Sequence, residues 1–129
     1  MQRAEYDWPT PSGTGRFKPE HPVTKLEGDY DVFRDGSVTI IATPGHTPGH
    51  QSLFLKLPKT GPILLSGDLY HYPEERTYKR VPSSDFDVDQ TAKSRAMVEE
   101  FLTKSKAELW IQHDYTTGMK RKIAPDFYE

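Results

Sequence analysis

The sequence contains no cysteine, and this absence removes several kinds of site and structural support. A disulfide framework, a thiolate zinc site and a cysteine nucleophile all require that residue. Any metal ion must therefore be bound by nitrogen and oxygen atoms, for which histidine and carboxylate side chains are the candidates.

The sequence also lacks long hydrophobic runs and a large excess of charge. Its longest apolar stretches, such as 38–42 and 63–65, are strand-sized, whereas a bilayer-spanning helix needs about 20 apolar residues. The N-terminus has no apolar segment of a signal peptide. The net charge is -2, and the basic run 120–122 is too short for a nucleic-acid arm. We therefore expect a cytoplasmic protein that binds neither nucleic acid nor a membrane.

The 129 residues suffice for one domain with a core, but not for two. Residues 1–22 are dense in proline and glycine, which predicts an irregular segment. We expect the folded domain to cover residues 23–129.

Apolar periodicity predicts a sheet followed by a helix and a last strand, which is an α+β fold. The first two strands read as a hairpin around the turn at 34–36. Helical spacing predicts one amphipathic helix from about Gln90 to Lys104, with Asp87 or Asp89 as its N-cap. The predicted strands are 30–33, 37–42, 51–57, 63–66 and 108–111.

Metal-competent side chains follow three of these strands. The repeated phrase TPGHTPGH carries His46 and His50, and two later strands are followed by Asp68 and by His113. If the three strands are neighbours that point the same way, their loops converge on one rim of the sheet, where sites commonly lie. Imidazole and carboxylate ligands suit zinc, and iron, manganese or cobalt could compete for them.

Three motifs in order, TPGHTPGHQSL, LLSGDLYHYPEE and LWIQHD, resemble the later motifs of the metallo-β-lactamase superfamily. They are most like its N-acyl homoserine lactonase branch, and the match covers nearly the whole chain. The resemblance implies that His46 and His113 are metal ligands and that Asp68 bridges two metals. His50 would then support the ligand loop, and Asp114 would either support His113 or be solvated.

The same resemblance implies a fold and an activity. The fold is the C-terminal half of a four-layer αβ/βα sandwich, with a mainly antiparallel sheet and one long helix. The activity is hydrolysis of a lactone or another ester by a water activated at one or two zinc ions. Phosphodiesters, phosphotriesters and β-lactams are the alternative substrates of this chemistry.

The segment after Asp68 carries an aromatic cluster. Lactonases similar to this chain often have a tyrosine here that touches the substrate carbonyl. In this sequence that polarising role could pass to Tyr70, to Tyr72 or to His71. A plain packing role for the cluster is the alternative, because aromatic residues also cover sheet edges.

The first ligand motif of the family, His-x-His-x-Asp-His, occurs nowhere in these 129 residues. The chain could be truncated and nearly inactive, could pair with a second copy, or could recruit His71, His50 or His21 to complete a site. A non-catalytic half domain that binds metal and self-associates is the alternative to an enzyme. A half sheet would also expose an apolar face, which predicts a homodimer. The residues expected on that face are Leu53, Leu55, Leu57, Ile63 and Leu65.

Overall fold

The computed structural model describes residues 22–129. The predicted irregular segment, 1–22, falls almost entirely outside this range, and so does His21. The elements in chain order are β1 (Tyr30–Asp31), β2 (Val38–Ala42), β3 (Gln51–Leu57), β4 (Gly61–Leu65), a 3₁₀ turn (Gly67–Leu69), α1 (Pro73–Tyr78), α2 (Val88–Ser105), β5 (Glu108–Trp110) and α3 (Tyr115–Gly118).

The strands form one sheet in the order β1-β2-β3-β4-β5. The first four strands pair antiparallel, and β5 pairs parallel to β4. A parallel pair needs a long crossover connection, and the segment that contains α1 and α2 supplies it. The predicted α+β class and the mainly antiparallel sheet are confirmed. Because β2 and β4 both run against β3, the strands β2, β4 and β5 point the same way, although β3 separates β2 from β4.

Helix α2 is the predicted amphipathic helix, extended slightly at both ends. Of the two aspartates considered as N-cap, Asp87 holds the position, because its carboxylate accepts a hydrogen bond of 2.8 Å from the Gln90 N–H. At the other end Lys106 adopts the left-handed conformation that closes many helices. The sequence patterns did not predict α1, which is short and has no buried residue.

The core lies between α2 and one face of the sheet. Phe54 on β3 meets Phe101 on α2 edge to face, with ring centroids 4.9 Å apart. Such aromatic pairs stabilise a core beyond the area that they bury. The buried residues of this core are Ile41, Phe54, Leu64, Leu69, Tyr70, Val98, Leu102 and Ile111.

The opposite face of the sheet is less exposed than the sequence predicts. Ile63 is only 1% exposed, and the four leucines predicted to lie exposed there are half-buried. The C-terminal residues cover part of this side, since the Tyr128 ring packs on the Trp110 ring with centroids 4.8 Å apart. Trp110 pairs with Leu65 in the sheet, so both side chains lie on the same face.

Within the described residues, no helix has the length and apolar character needed to span a bilayer.

The TPGHTPGH loop is packed directly against the first turns of α2. The Ser94 hydroxyl donates to the Pro44 carbonyl at 2.6 Å, and the Asp87 N–H donates to the Gly45 carbonyl at 2.9 Å. Gly45 has a φ of +139°, and a Cβ there would overlap the backbone and hydroxyl of Thr91. Glycine at this position therefore lets the histidine loop approach the helix.

We predict that Gly45→Ala lowers the free energy of unfolding by about 3 kcal/mol or more, because overpacking adds to the strain of a positive φ. The matched control is Gly61→Ala, where φ is +92° and no atom lies within 4 Å of the new Cβ. The control should lose only about 1–2 kcal/mol. Chemical denaturation measures both, and equal losses would contradict the close packing at Gly45.

Candidate metal centre

Asp68 lies between two imidazoles at the end of the sheet where β2, β4 and β5 finish. Its Oδ1 is 2.8 Å from His113 Nε2, and its Oδ2 is 3.4 Å from His46 Nε2. Three loops far apart in sequence therefore meet at one carboxylate. The convergence expected from the strand directions is present in the structure.

His71 joins this group from the start of the crossover segment. Its ring centroid lies 5.4 Å from that of His46 and 5.1 Å from that of His113. One ligand atom each from Asp68, His71 and His113 lies within 4.8 Å of the other two. We refer to His46, Asp68, His71 and His113 together as the metal cluster.

His50 is held by the protein through both of its ring nitrogens. Nε2 accepts a hydrogen bond of 2.9 Å from the backbone N–H of Asp68, and Nδ1 is 3.0 Å from the Thr43 carbonyl oxygen. These bonds fit one neutral tautomer, with the proton on Nδ1 donated to the carbonyl. His50 thus fixes the backbone that carries Asp68.

His46 is oriented by a carboxylate that sequence reasoning missed. Its Nδ1 lies 3.0 Å from Asp85 Oδ1, and the Asp85 side chain is fully buried. The other Asp85 oxygen accepts a hydrogen bond of 2.7 Å from the Thr91 hydroxyl. With Nδ1 engaged, Nε2 is the nitrogen that faces Asp68. No spacing rule signals Asp85, because it is 39 residues from His46 in the chain.

The electrostatics of the cluster favour an ionised Asp68. Partial burial alone would raise the pKa of its carboxyl, but the hydrogen bond from His113 and the neighbouring imidazoles outweigh this effect. The pKa of Asp68 consequently falls below its usual value. An ionised carboxylate is the form that binds a divalent cation.

The two tyrosines that flank His71 lie in different surroundings. Tyr70 is only 2% exposed, and its hydroxyl donates to Glu99 at 3.0 Å. Burial and the Glu99 charge raise the pKa of Tyr70. Its ring also stacks under the Arg95 guanidinium at 4.4 Å, so Tyr70 belongs to the core and is not brought to the metal cluster. Tyr72, by contrast, is 58% exposed.

Asp114, a possible support for His113, caps helix α3. Its carboxylate accepts a hydrogen bond of 3.3 Å from the Thr117 N–H. The pKa of Asp114 is lowered, first by a hydrogen bond with the Thr117 side chain and also by this backbone hydrogen bond. The contacts of Asp114 therefore support a structural role as the N-cap of α3.

An open cavity of about 470 Å³ adjoins the cluster, with His71 and Tyr72 among its lining residues. Val81 and Pro82 add an apolar surface to it. A larger groove of about 670 Å³ lies between α1 and α2 around Tyr70, but none of the metal-cluster residues lines it. The smaller cavity is the better substrate candidate because His71 lines it.

The donor set of the cluster fits a divalent ion. Zinc binds histidine nitrogen and carboxylate oxygen at about 2.0–2.2 Å, and a buried acceptor on the other nitrogen of a ligating histidine is a common support. His46 has such an acceptor in Asp85. The arrangement is therefore suited to zinc, and to the other first-row metals that accept nitrogen and oxygen.

No family model matches the chain. It is 34% identical over 141 residues to N-acyl homoserine lactonase AttM of Rhizobium radiobacter, covering 99% of this chain and 54% of that protein. It is 36% identical over 102 residues to an N-acyl homoserine lactonase of Bacillus sp, covering 79% of this chain and 40% of that protein.

The chain is similar in sequence to about half of an N-acyl homoserine lactonase. Solved structures agree, because it superposes on a quorum-quenching N-acyl homoserine lactone lactonase with a TM-score of 0.73 and 33% identity, over 82% of this chain and 42% of that one. A further N-acyl homoserine lactone hydrolase holds N-hexanoyl-L-homoserine at its catalytic metal centre. The chain superposes on it with a TM-score of 0.73 and 32% identity, over 82% of this chain and 41% of that one. The resemblance identified from the motifs is confirmed. The chain spans about half the length of the curated relatives that it matches.

We predict that Asp85→Ala weakens Zn²⁺ or Co²⁺ binding about 10–100-fold, because His46 loses the partner that orients it. Asp85→Asn keeps an acceptor and should lose less. The matched control is Asp89→Ala, an exposed aspartate in the first turn of α2, the helix that follows Asp85. Competition with a chromophoric chelator measures the affinities, and an unchanged affinity in Asp85→Ala would contradict the role of Asp85.

Proposed function

We propose that this chain is the metal-binding part of a hydrolase that opens the ring of an N-acyl homoserine lactone or a similar ester. The observation that supports it most is the meeting of Asp68 with three imidazoles beside an open cavity. The lactonase names of its relatives point to the substrate class.

We propose His46, Asp68 and His113 as metal ligands. Asp68 directs one oxygen to each histidine, an arrangement suited to a carboxylate shared by two ions. Zinc is the proposed metal, with iron, manganese and cobalt as the alternatives.

A bound divalent ion would lower the pKa of a water molecule toward about 7 and polarise an ester carbonyl. In the hydrolysis, the water oxygen forms a bond to the carbonyl carbon and the ring C–O bond breaks. The products are a carboxylate and an alcohol, and a proton passes to the leaving alkoxide. Asp68, which is partly exposed and ionised, would orient the attacking water.

The groups that touch the substrate would come from the cavity wall. His71 and Tyr72 line it, so either could contact the carbonyl oxygen of a lactone. Tyr70 is not proposed for this role, since its hydroxyl is committed to Glu99 in the core. We expect the cytoplasm to be the compartment of this activity.

We predict that the zinc-loaded protein hydrolyses an N-acyl homoserine lactone and that dialysis against a chelator abolishes this activity until zinc is restored. His46→Ala and Asp68→Ala should each lower kcat/KM by roughly 100-fold or more, because each removes a ligand. Asp89→Ala is the control, and a phosphodiester is the comparison substrate. Activity that survives both ligand substitutions would refute the site.

We also propose that the half-buried leucines of the sheet face opposite α2 pack against a second copy of the chain. A two-fold dimer is the commonest closed assembly. Light scattering at micromolar concentration should then give twice the 14.8 kDa mass of one chain. Leu55→Lys should shift the mass toward that of a monomer, and a wild-type protein that is monomeric throughout would contradict the proposal.

A further inference from the structure

We infer that His71 is a metal ligand and that Asp68, His71 and His113 form one ion site within this chain. The inference rests on the metal binding proposed above, but not on the choice of substrate. The three ligand atoms lie within 4.8 Å of one another, and the His113–Asp68 pair is already at 2.8 Å. Ligands of zinc at about 2.0–2.2 Å stand roughly 3.5 Å apart. A small inward shift of His71 and a slight opening of the His113–Asp68 pair would therefore complete the site.

His71 is held in place by a largely buried ion pair. Glu75 Oε2 accepts hydrogen bonds from the His71 backbone N–H at 3.2 Å and from Arg95 Nη2 at 2.6 Å. Arg95 is 6% exposed and also donates from Nε to the Leu69 carbonyl at 2.8 Å. Since Glu75 is fixed by a buried guanidinium, the segment that carries His71 has little freedom to move away from Asp68.

The other Glu75 oxygen stands beside the His71 ring, 3.6 Å from Nδ1. A carboxylate next to one nitrogen of an imidazole is a common support of a ligating histidine. His46 has the corresponding partner in Asp85. Two histidines of the metal cluster thus each have their own carboxylate, supplied by the segment between β4 and β5.

A second observation concerns the hydrogen bonding of His71. Its Nδ1 is buried and has no hydrogen-bond partner among the residues that the structure describes, since 3.6 Å to Glu75 is too long for such a bond. Buried polar atoms without a partner are uncommon in native proteins, so Nδ1 is expected to gain one, and the Glu75 carboxylate beside it is an available acceptor. If a small rotation brought Nδ1 onto Glu75, the other ring nitrogen would remain for the ion.

If His71 is a metal ligand, another residue of the cavity must contact the substrate. An imidazole that binds the ion is not available to polarise the substrate carbonyl, so that contact falls to Tyr72. Three protein ligands leave an open position, as in catalytic zinc sites. His46, on the other Asp68 oxygen, would serve a second ion.

The test titrates the metal-free protein with Co²⁺ and follows the visible bands of the bound ion. His71→Ala should weaken the Asp68–His113 site about tenfold or more and change its bands, as should His113→Ala. Tyr72→Phe, next to His71 in the same cavity, should leave the affinity and the bands as in wild type. Circular dichroism and thermal melts without metal show whether each variant is folded.

A second measurement uses the wild-type protein, so it does not depend on the folding of a variant. Imidazole ¹⁵N resonances of His71 and His113 should both shift when Zn²⁺ is added. Wild-type Co²⁺ binding in His71→Ala, or a His71 signal unmoved by Zn²⁺, would overturn the inference and leave the proposed hydrolase intact. Metal binding that depends on His71 without any lactone hydrolysis would support the inference and contradict the proposed hydrolase.

Discussion

The carboxylate of Asp68 is the point on which the arrangement of the site depends. It stands at the end of β4, with one oxygen toward His113 and the other toward His46. Its backbone N–H is held by His50, which is in turn fixed to Thr43. Without a carboxylate at this position, the loops that carry His46 and His113 would have no common partner. The same carboxylate is what a divalent cation would need at this end of the sheet.

The helical layer positions the histidines of the site as well as covering the core. Asp85, just before α2, holds His46, and Glu75 on α1 stands beside His71. Both carboxylates are tied to α2, since Asp85 accepts from Thr91 and Glu75 pairs with Arg95. Packing of α2 on the sheet therefore fixes the positions of His46 and His71. A change in the core that tilts this helix should disturb metal binding at a distance, because such sites tolerate little displacement.

Much of the fold and part of the site could be predicted from the sequence. Alternating apolar residues mark the strands and helical spacing marks α2, and these local patterns follow from backbone geometry. The meeting of His46, Asp68 and His113 follows from the common direction of three strands. Asp85 could not be predicted, because its role arises from a contact across the fold. Tyr70 and Tyr72 look alike in sequence, and only packing separates the buried one from the exposed one.

The most direct test of the metal centre is X-ray diffraction from crystals grown with zinc, with data collected on both sides of the zinc absorption edge. An anomalous difference peak is expected about 2.0–2.2 Å from an Asp68 oxygen and from a nitrogen of His113. A second peak on the His46 side of the carboxylate would fit two ions. Crystals that contain zinc elsewhere, with no anomalous peak at Asp68, would contradict a metal site at the meeting point of these loops.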